Sequence, residues 1–295
     1  MKALGFIGTG GMGSGMAANL IKAGYQLVVT DINREQAKGL ESLGAQFKDT
    51  PKAVAESCEI VLSMLPHNEA VRAVGLGKGG LAEAVTGARA WIDFSSIDKE
   101  TIVEVGGELA KKGWIIADAS AGGVEEVAAA GQLALWLSGS RALFDEHQPI
   151  FKAMGKSILF VGELGAAKLV KNAMAMLAAV QHMSLVEIGS WLKKGGIDDA
   201  TFKTILANSQ QDSVAIRRIM DIVVSRNFKP RKSWMPKDVG FGLDMARAME
   251  VPMPFVSLAS QMFAIAQATG QDGYEATGIA CNVYDVINGK QIKPS

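Results

Sequence analysis

Cysteine, histidine and net charge are scarce in this 295-residue sequence, which has two Cys, three His, and thirty Lys and Arg against thirty Asp and Glu. Cys58 and Cys281 fit no metal or thiol-redox spacing, so two reduced, buried thiols and no metal site are expected. The charge is balanced and forms no basic run or stripe, which argues against a nucleic-acid surface. Long apolar runs are also missing. The longest strictly apolar run near the centre, Ala173 to Val180, is too short to cross a bilayer. Met1 leads directly into an apparent strand, with no charged flank or cleavage site of a signal peptide. The expectation is a cytoplasmic protein that has neither a membrane nor a nucleic acid as partner.

Hydrophobic residues make up 48% of the chain and charged residues 20%, which suits a globular protein with a sizeable core. The length suits one large or two moderate domains. Candidate strands are Leu4–Ile7, Gln26–Thr30, Glu59–Leu65, Arg89–Phe94, Trp114–Ala117, Leu133–Leu137 and Ser157–Val161. Helical patterns at Gly13–Ala23, Arg34–Leu43 and Lys99–Lys112 lie between them. This alternation implies an α/β fold, doubly wound, with a mainly parallel sheet covered on both faces. After Gly162 the strand signal stops. Ala166 to Lys194 reads as one long helix ended by Gly195-Gly196. Helical patterns continue at Ala200–Asn208, Val214–Val224, Asp238–Met249 and Phe255–Gln267, and most of the fourteen methionines fill helical cores. The expected organisation is an α/β domain over 1–163 and an all-α domain over 164–295, joined by the long helix.

The stretch "GFIGTGGMGSGMAANL" sets Gly8, Gly10 and Gly13 in the order G-x-G-x-x-G. Three glycines alone say little, but a strand precedes them and a helix follows. In that setting helix N-terminal amides hold a pyrophosphate, as in a Rossmann-type domain. Gly8 permits the tight turn, Gly10 lets phosphates approach the backbone, and Gly13 lets the helix pack on the sheet. Asp31, eighteen residues beyond Gly13, stands at the end of the second strand. A carboxylate there accepts hydrogen bonds from a ribose 2′-hydroxyl and repels a 2′-phosphate, which favours NAD over NADP unless Arg34 rearranges the site. The alternative is a capping role for Asp31 ahead of Asn33. The loops "SMLP" (Ser63–Pro66) and "DFSSID" (Asp93–Asp98) follow two further strands, at the carboxyl ends where ligands of open α/β sheets bind.

Together these stretches resemble the β-hydroxyacid dehydrogenase family, the 3-hydroxyisobutyrate dehydrogenase-like group, over nearly the whole chain. The resemblance implies a dinucleotide site built from Gly8, Gly10, Gly11, Met12, Gly13, Asp31, Leu65 and Pro66, with Ser96 near the nicotinamide ribose. The family's catalytic segment, a glycine followed by a lysine and by an asparagine four residues after the lysine, matches "GAAKLVKNAM". It implies Lys168 as the catalytic lysine and Asn172 as its asparagine. "PKD" in "MPKDVGFGLDMA" matches a later lysine of the cofactor and substrate cleft, Lys237. One stretch departs from the family's D-A-P-V-S-G-G-V. "DASAGGV" puts Gly122 at the substrate-binding serine when aligned from Asp118, or Ala121 when slid by one residue. The serine hydroxyl is missing either way, leaving Ser120 to supply one from a shifted position.

Lys168 and Asn172 share one helix face, and a lysine in so apolar a helix is costly unless that face opens on a cleft. In such a cleft it exchanges the hydroxyl proton while the cofactor exchanges a hydride; elsewhere it is a solvated lysine. Backbone amides at Gly122-Gly123, with Lys237, offer donors to a substrate carboxylate, and Arg231 and Lys232 are further candidates. His67 either touches the cofactor or is exposed. His182 and Glu187 read as core or interface residues. The expected activity is NAD-dependent hydride transfer to or from a small 3-hydroxy acid or its semialdehyde acid, in a homodimer or homotetramer. The alternatives are a reductase of small aldehydes or imines, and a catalytically weak NAD-binding protein.

Overall fold

Residues 3–231 and 233–290 are described by a computed structural model, in which the chain divides into two units at Lys171 and Asn172. In the first unit, β1 (Leu4–Ile7), α1 (Gly11–Lys22), β2 (Leu27–Thr30), α2 (Lys38–Glu41), β3 (Gln46–Phe47), α3 (Pro51–Ala55) and β4 (Ile60–Ser63) follow in order. Next come α4 (Asn68–Leu76), β5 (Ala90–Asp93), α5 (Lys99–Ala110), β6 (Ile115–Gly122) and α6 (Glu125–Ala129). β7 (Leu133–Gly139), α7 (Arg141–Glu146), α8 (Gln148–Met154) and β8 (Gly155–Gly162) complete the sheet. The strands lie side by side as β3-β2-β1-β4-β5-β6-β7-β8. The sheet is parallel from β3 to β6, β7 runs antiparallel to β6, and β8 runs parallel to β7.

The central strands are apolar on both faces because both faces are covered. Leu4, Phe6, Leu62 and Ile92 pack on one side with Met16 and Leu20 of α1 and Phe151 of α8. Ile7, Val28, Val61 and Trp91 pack on the other with Val54 of α3 and Ile102 and Val105 of α5. The strand order reverses direction between β1 and β4, so their carboxyl ends open a crevice at the point where dinucleotides bind in doubly wound sheets.

Three local differences from the sequence reading have physical causes. β3 is two residues long, too short to show a period. The Arg34–Leu43 pattern breaks into a 3₁₀ turn, Arg34–Ala37, followed by the single turn α2. The third matters for function. The strand expected over Trp114–Ala117 continues as β6 to Gly122, so "DASAG" is strand and not loop. Its Asp-Ala-Ser-Ala alternation has the period of two that a strand requires, and Ala119 and Ala121 lie in the hydrophobic core.

In the second unit, the long helix α9 (Ala166–Lys194) is followed by α10 (Asp199–Ala207), α11 (Val214–Ser225), α12 (Met235–Ala248), α13 (Pro254–Ala268) and α14 (Ala276–Ile287). α9 starts within the first unit. It is long and apolar enough to cross a membrane by length and composition, but Ala179, Met183, Leu185 and Val186 pack into the core of the helical unit. α14 escapes a reading by amphipathic period because Ala276 through Val283 are all buried, which leaves no polar face. Cys58 and Cys281 are both buried thiols without a disulfide, and burial pushes their pKa values up to about 12 and about 11.

His182 Nδ1 donates to Ala178 O at 2.7 Å, and burial holds the imidazole pKa below its ordinary value of 6.5, with Glu275 and Arg218 as opposing charged neighbours. The unfolded chain therefore takes up a proton near pH 6.5 that the folded chain takes up only at lower pH. Stability should fall as pH drops below about 6.5, at up to ~1.4 kcal/mol per pH unit from this residue. His182→Gln should flatten the slope of melting temperature between pH 6.5 and 5. An unchanged slope would remove His182 as its source.

Candidate active site

The glycine turn leaves β1 at the crevice. Gly8 has φ +89°, a left-handed conformation, and a Cβ there would lie 2.3 Å from Met64 O in the loop after β4. A Cβ on Gly13 would meet Gly8 O at 2.0 Å, so the first turn of α1 packs directly on the loop. Around Gly10 no atom lies within 4 Å of the position a Cβ would take. The turn is thus closed on the protein side and open at Gly10, where the first amides of α1 begin. This cradle fits a dinucleotide pyrophosphate.

At the end of β2, Asp31 Oδ2 accepts from the Thr9 amide at 2.6 Å, and Asp31 Oδ1 accepts from the Asn33 amide at 2.9 Å. The carboxylate braces the glycine turn and retains acceptor capacity for a ribose diol. The cap of the following turn is Asn33, whose side chain accepts from the Glu35 amide, so Asp31 is not the capping residue. Arg34 is engaged with Glu41 at 3.0 Å and lies over the Phe47 ring at 4.1 Å. His67 caps α4 by accepting from the Ala70 amide and is largely exposed.

The loops after β4 and β5 meet in one buried network. Asp93, at the end of β5, is fully buried. Its Oδ1 accepts from Ser63 at 2.7 Å and from the Ser95 hydroxyl at 2.6 Å, while Ser95 Oγ accepts from the Leu65 amide at 2.8 Å. This holds the Leu65-Pro66 segment against the Ser95-Ser96 segment.

Lys168 is fully buried, with no exposed side-chain surface. Its ammonium donates to Asp93 Oδ2, Asp93 O and Ala119 O, each at 2.9 Å. One helical turn on, Lys171 is half-buried and donates to Ala121 O near the carboxyl end of β6 at 3.1 Å. Asn172 is buried with neither amide atom hydrogen-bonded.

The substrate stretch is also clarified. Ser120 is buried on β6 with its hydroxyl unpartnered. Ala121 faces the hydrophobic core, so the slid alignment would put the family serine in apolar packing. A Cβ on Gly122 would lie 2.7 Å from the Trp136 ring, so the indole fills the space that a serine there would need. Gly123, with φ +149°, ends the strand. In the helical unit, Lys237 lies 3.5 Å from Asp238 and about equally far from the Trp234 and Phe241 rings, at 5.5 and 5.4 Å. Lys232 lies outside the described residues, and Arg231 opens the segment before α12.

Comparison with known proteins agrees with this geometry. The family described as the NAD binding domain of 6-phosphogluconate dehydrogenase matches residues 3–162. The family described as the NAD-binding domain of NADP-dependent 3-hydroxyisobutyrate dehydrogenase matches 165–281. The chain is 32% identical to 3-hydroxyisobutyrate dehydrogenase of Pseudomonas aeruginosa, covering 92% of this chain and 94% of that protein. It is 29% identical to 2-(hydroxymethyl)glutarate dehydrogenase of Eubacterium barkeri, covering 98% and 97%. The structure of Mycobacterium tuberculosis 3-hydroxyisobutyrate dehydrogenase with L-serine superposes with a TM-score of 0.87 at 25% identity, covering 96% and 99%. The chain spans about half the length of the cytokine-like nuclear factors N-PAC that it also matches. With a glycine cradle at the β1–β4 crevice and both family matches in chain order, the chain belongs to the 3-hydroxyisobutyrate dehydrogenase-like β-hydroxyacid dehydrogenases, a family of NAD(P)-binding oxidoreductases.

Proposed function

We propose that this chain is an NAD-dependent dehydrogenase or reductase of a small 3-hydroxy acid or its semialdehyde acid, with Lys168 as the proton-transfer group. The observation that supports the assignment is the buried Lys168 ammonium, which donates to Asp93 O at the carboxyl end of β5, in the same unit as the dinucleotide cradle. Bound NAD supplies the acceptor or donor of the hydride. Lys168 takes the substrate hydroxyl proton in oxidation and returns it to the forming alkoxide in reduction. Asn172 offers an unpaired amide to orient substrate oxygens, and Ser120 an unpaired hydroxyl. The Gly122-Gly123 backbone supplies donors for the substrate carboxylate. Hydroxy acids and semialdehyde acids screened with NAD⁺ and NADH by nicotinamide absorbance should give turnover with at least one pair. NADH binding without any turnover would favour the catalytically weak reading.

Asp31 at the end of β2 sets the expected cofactor preference. The ratio of kcat/KM for NAD over NADP should be about tenfold or more, equivalent to ~1.4 kcal/mol. Asp31→Ser should narrow that ratio by removing the repulsion. Equal use of both cofactors by the wild type would sink the ribose assignment.

The helical unit leaves large apolar side chains exposed: Trp191 at 72%, with Leu177 and Ile188, on α9, and Phe255 at 77%, with Leu258, on α13. So much exposed apolar surface fits burial against further copies of the chain. Light scattering should give a homodimer or homotetramer. A stable, active monomer of 31.1 kDa at micromolar concentration would count against it.

A further inference from the structure

One face of β6 carries Asp118, Ser120 and Gly122 in alternation, while Ala119 and Ala121 turn into the core on the other. β7 pairs with this strand in register, so Ser138 stands opposite Asp118, Trp136 opposite Ser120 and Ala134 opposite Gly122. α9 begins on the same face. The Gly165 amide donates to Asp118 Oδ1 and the Ala167 amide to Ser138 Oγ, each at 2.9 Å, and Ser138 in turn donates to Asp118. The fold thus uses Asp118 and Ser138. Among the described residues the Ser120 hydroxyl has no partner, and Gly122 brings no side chain.

Trp136 fills the space beside Gly122. Its side chain is half-buried and leans along the strand. A Cβ on Gly122 would lie 2.7 Å from Trp136 Cη2, 3.1 Å from Trp136 Cζ3 and 3.4 Å from Ala134 Cβ. The two ring atoms belong to the carbon edge of the indole, away from its N–H. All three nearest atoms are carbon, so the wall at this point is apolar.

We propose that Trp136, packed against Gly122, is a specificity-determining residue of the substrate site: its carbon edge admits hydrogen or an alkyl group at C2 of a 3-hydroxy acid and rejects a hydroxyl there. This rests on the function proposed above and narrows its substrate class. Lys168 marks the reacting end of β6 through its bond to Ala119 O, and the Gly122-Gly123 amides mark the carboxylate end. A strand rises about 3.3 Å per residue, so the two marks stand roughly 10 Å apart, which a three-carbon acid spans with one hydrogen bond at each end. C3 belongs at the first mark and the carboxylate at the second. C2 then lies over the stretch between them, beside the indole edge. A hydroxyl on C2 would give up water and meet carbon, whereas a hydrogen or a methyl group gives up nothing. The Ser120 hydroxyl, next to Ala119, serves the reacting oxygen.

The test measures kcat/KM of the full-length protein, with NAD⁺, for 3-hydroxypropanoate, 3-hydroxy-2-methylpropanoate and glycerate, which differ only at C2. The wild type should prefer the first two over glycerate by about 10- to 100-fold. Gly122→Ser alone should lower activity with all three, because its side chain meets the indole. Trp136→Ala opens the wall to water and should narrow the preference to within about threefold. Trp136→Ala with Gly122→Ser supplies both room and a hydroxyl. It should reverse the preference toward glycerate, and the cost of Gly122→Ser should largely vanish in that background. NADH affinity, read by nicotinamide fluorescence, should stay within about twofold throughout. Should Trp136→Ala not fold, Trp136→Met also makes room while removing less volume, and carries the same expectations. Equal use of glycerate and 3-hydroxypropanoate by the wild type would overturn the proposal, as would an unchanged ranking in the folded Trp136 variants. So would use of some other hydroxy acid but none of these three. Ser120→Ala should lower kcat for all three alike; loss of glycerate alone would mean that Ser120 holds the C2 hydroxyl, and would also overturn it. A wild type that turns over no hydroxy acid or semialdehyde acid at all would overturn the functional reading itself, and this shows without any variant.

Discussion

Lys168→Met should lower kcat by about 10²- to 10⁴-fold, or roughly 3–5 kcal/mol of barrier, with NADH affinity nearly unchanged. The substitution also leaves the Asp93 carboxylate buried without its cation, so melting temperature should fall as well. Lys171→Met, which loses only its bond to Ala121 O, should lower kcat far less and separates the two lysines. A near-normal kcat for Lys168→Met, under conditions where chemistry limits turnover, would give the role to another group, with Lys237 next in line. Asn172→Ala should cost less than Lys168→Met, because it removes orientation and not the proton carrier.

Gly10→Ala should abolish most cofactor binding without harming the fold. Gly10 has φ −66°, a value any residue adopts, and nothing lies within 4 Å of the added methyl group. The methyl group would stand in the space at the head of α1 that the pyrophosphate takes. NADH affinity should fall by at least about tenfold, equivalent to ~1.4 kcal/mol, with melting temperature within a degree or two of wild type. Gly13→Ala should behave differently. Its methyl group would meet Gly8 O at 2.0 Å, so α1 must shift and the fold itself should lose about 1–3 kcal/mol. If Gly10→Ala binds NADH normally, the cradle is not where the phosphates sit. Calorimetric binding and thermal melts of the two variants, run side by side, separate a blocked ligand site from a strained turn.

The α/β unit, the long helix and the helical remainder are all legible in the sequence. Short apolar runs read directly as β1, β2, β4 and β5, because a strand buried on both faces needs no alternation to be recognised. α9 is read to its two ends, since Gly165 precedes it and Gly195-Gly196 closes it. The glycine turn is equally local: Gly13 packs on the Gly8 carbonyl and Gly10 between them is left open, so spacing suffices to locate it. β3 and α14 are not legible, one for lack of length and the other for lack of a polar face.

The candidate catalytic residues depend on information that the chain order does not hold. Lys168 and Lys171 are three apart on one helix face, and local sequence offers both the same company. What separates them is Asp93, seventy-five residues upstream of Lys168, which register on the sheet brings beneath Lys168 alone. A buried carboxylate needs a cation, and Lys168 is the lysine that reaches it, while Lys171 meets Ala121 O at the strand end. The alternation in "DASAG" was enough to show a strand, but only the packed structure shows that Ala121 faces the core and that Trp136 fills the space beside Gly122. Periodicity and glycine placement are properties of neighbouring residues and so are written in the sequence. Which charge is buried and paired depends on contacts between distant segments, and only the tertiary structure decides it.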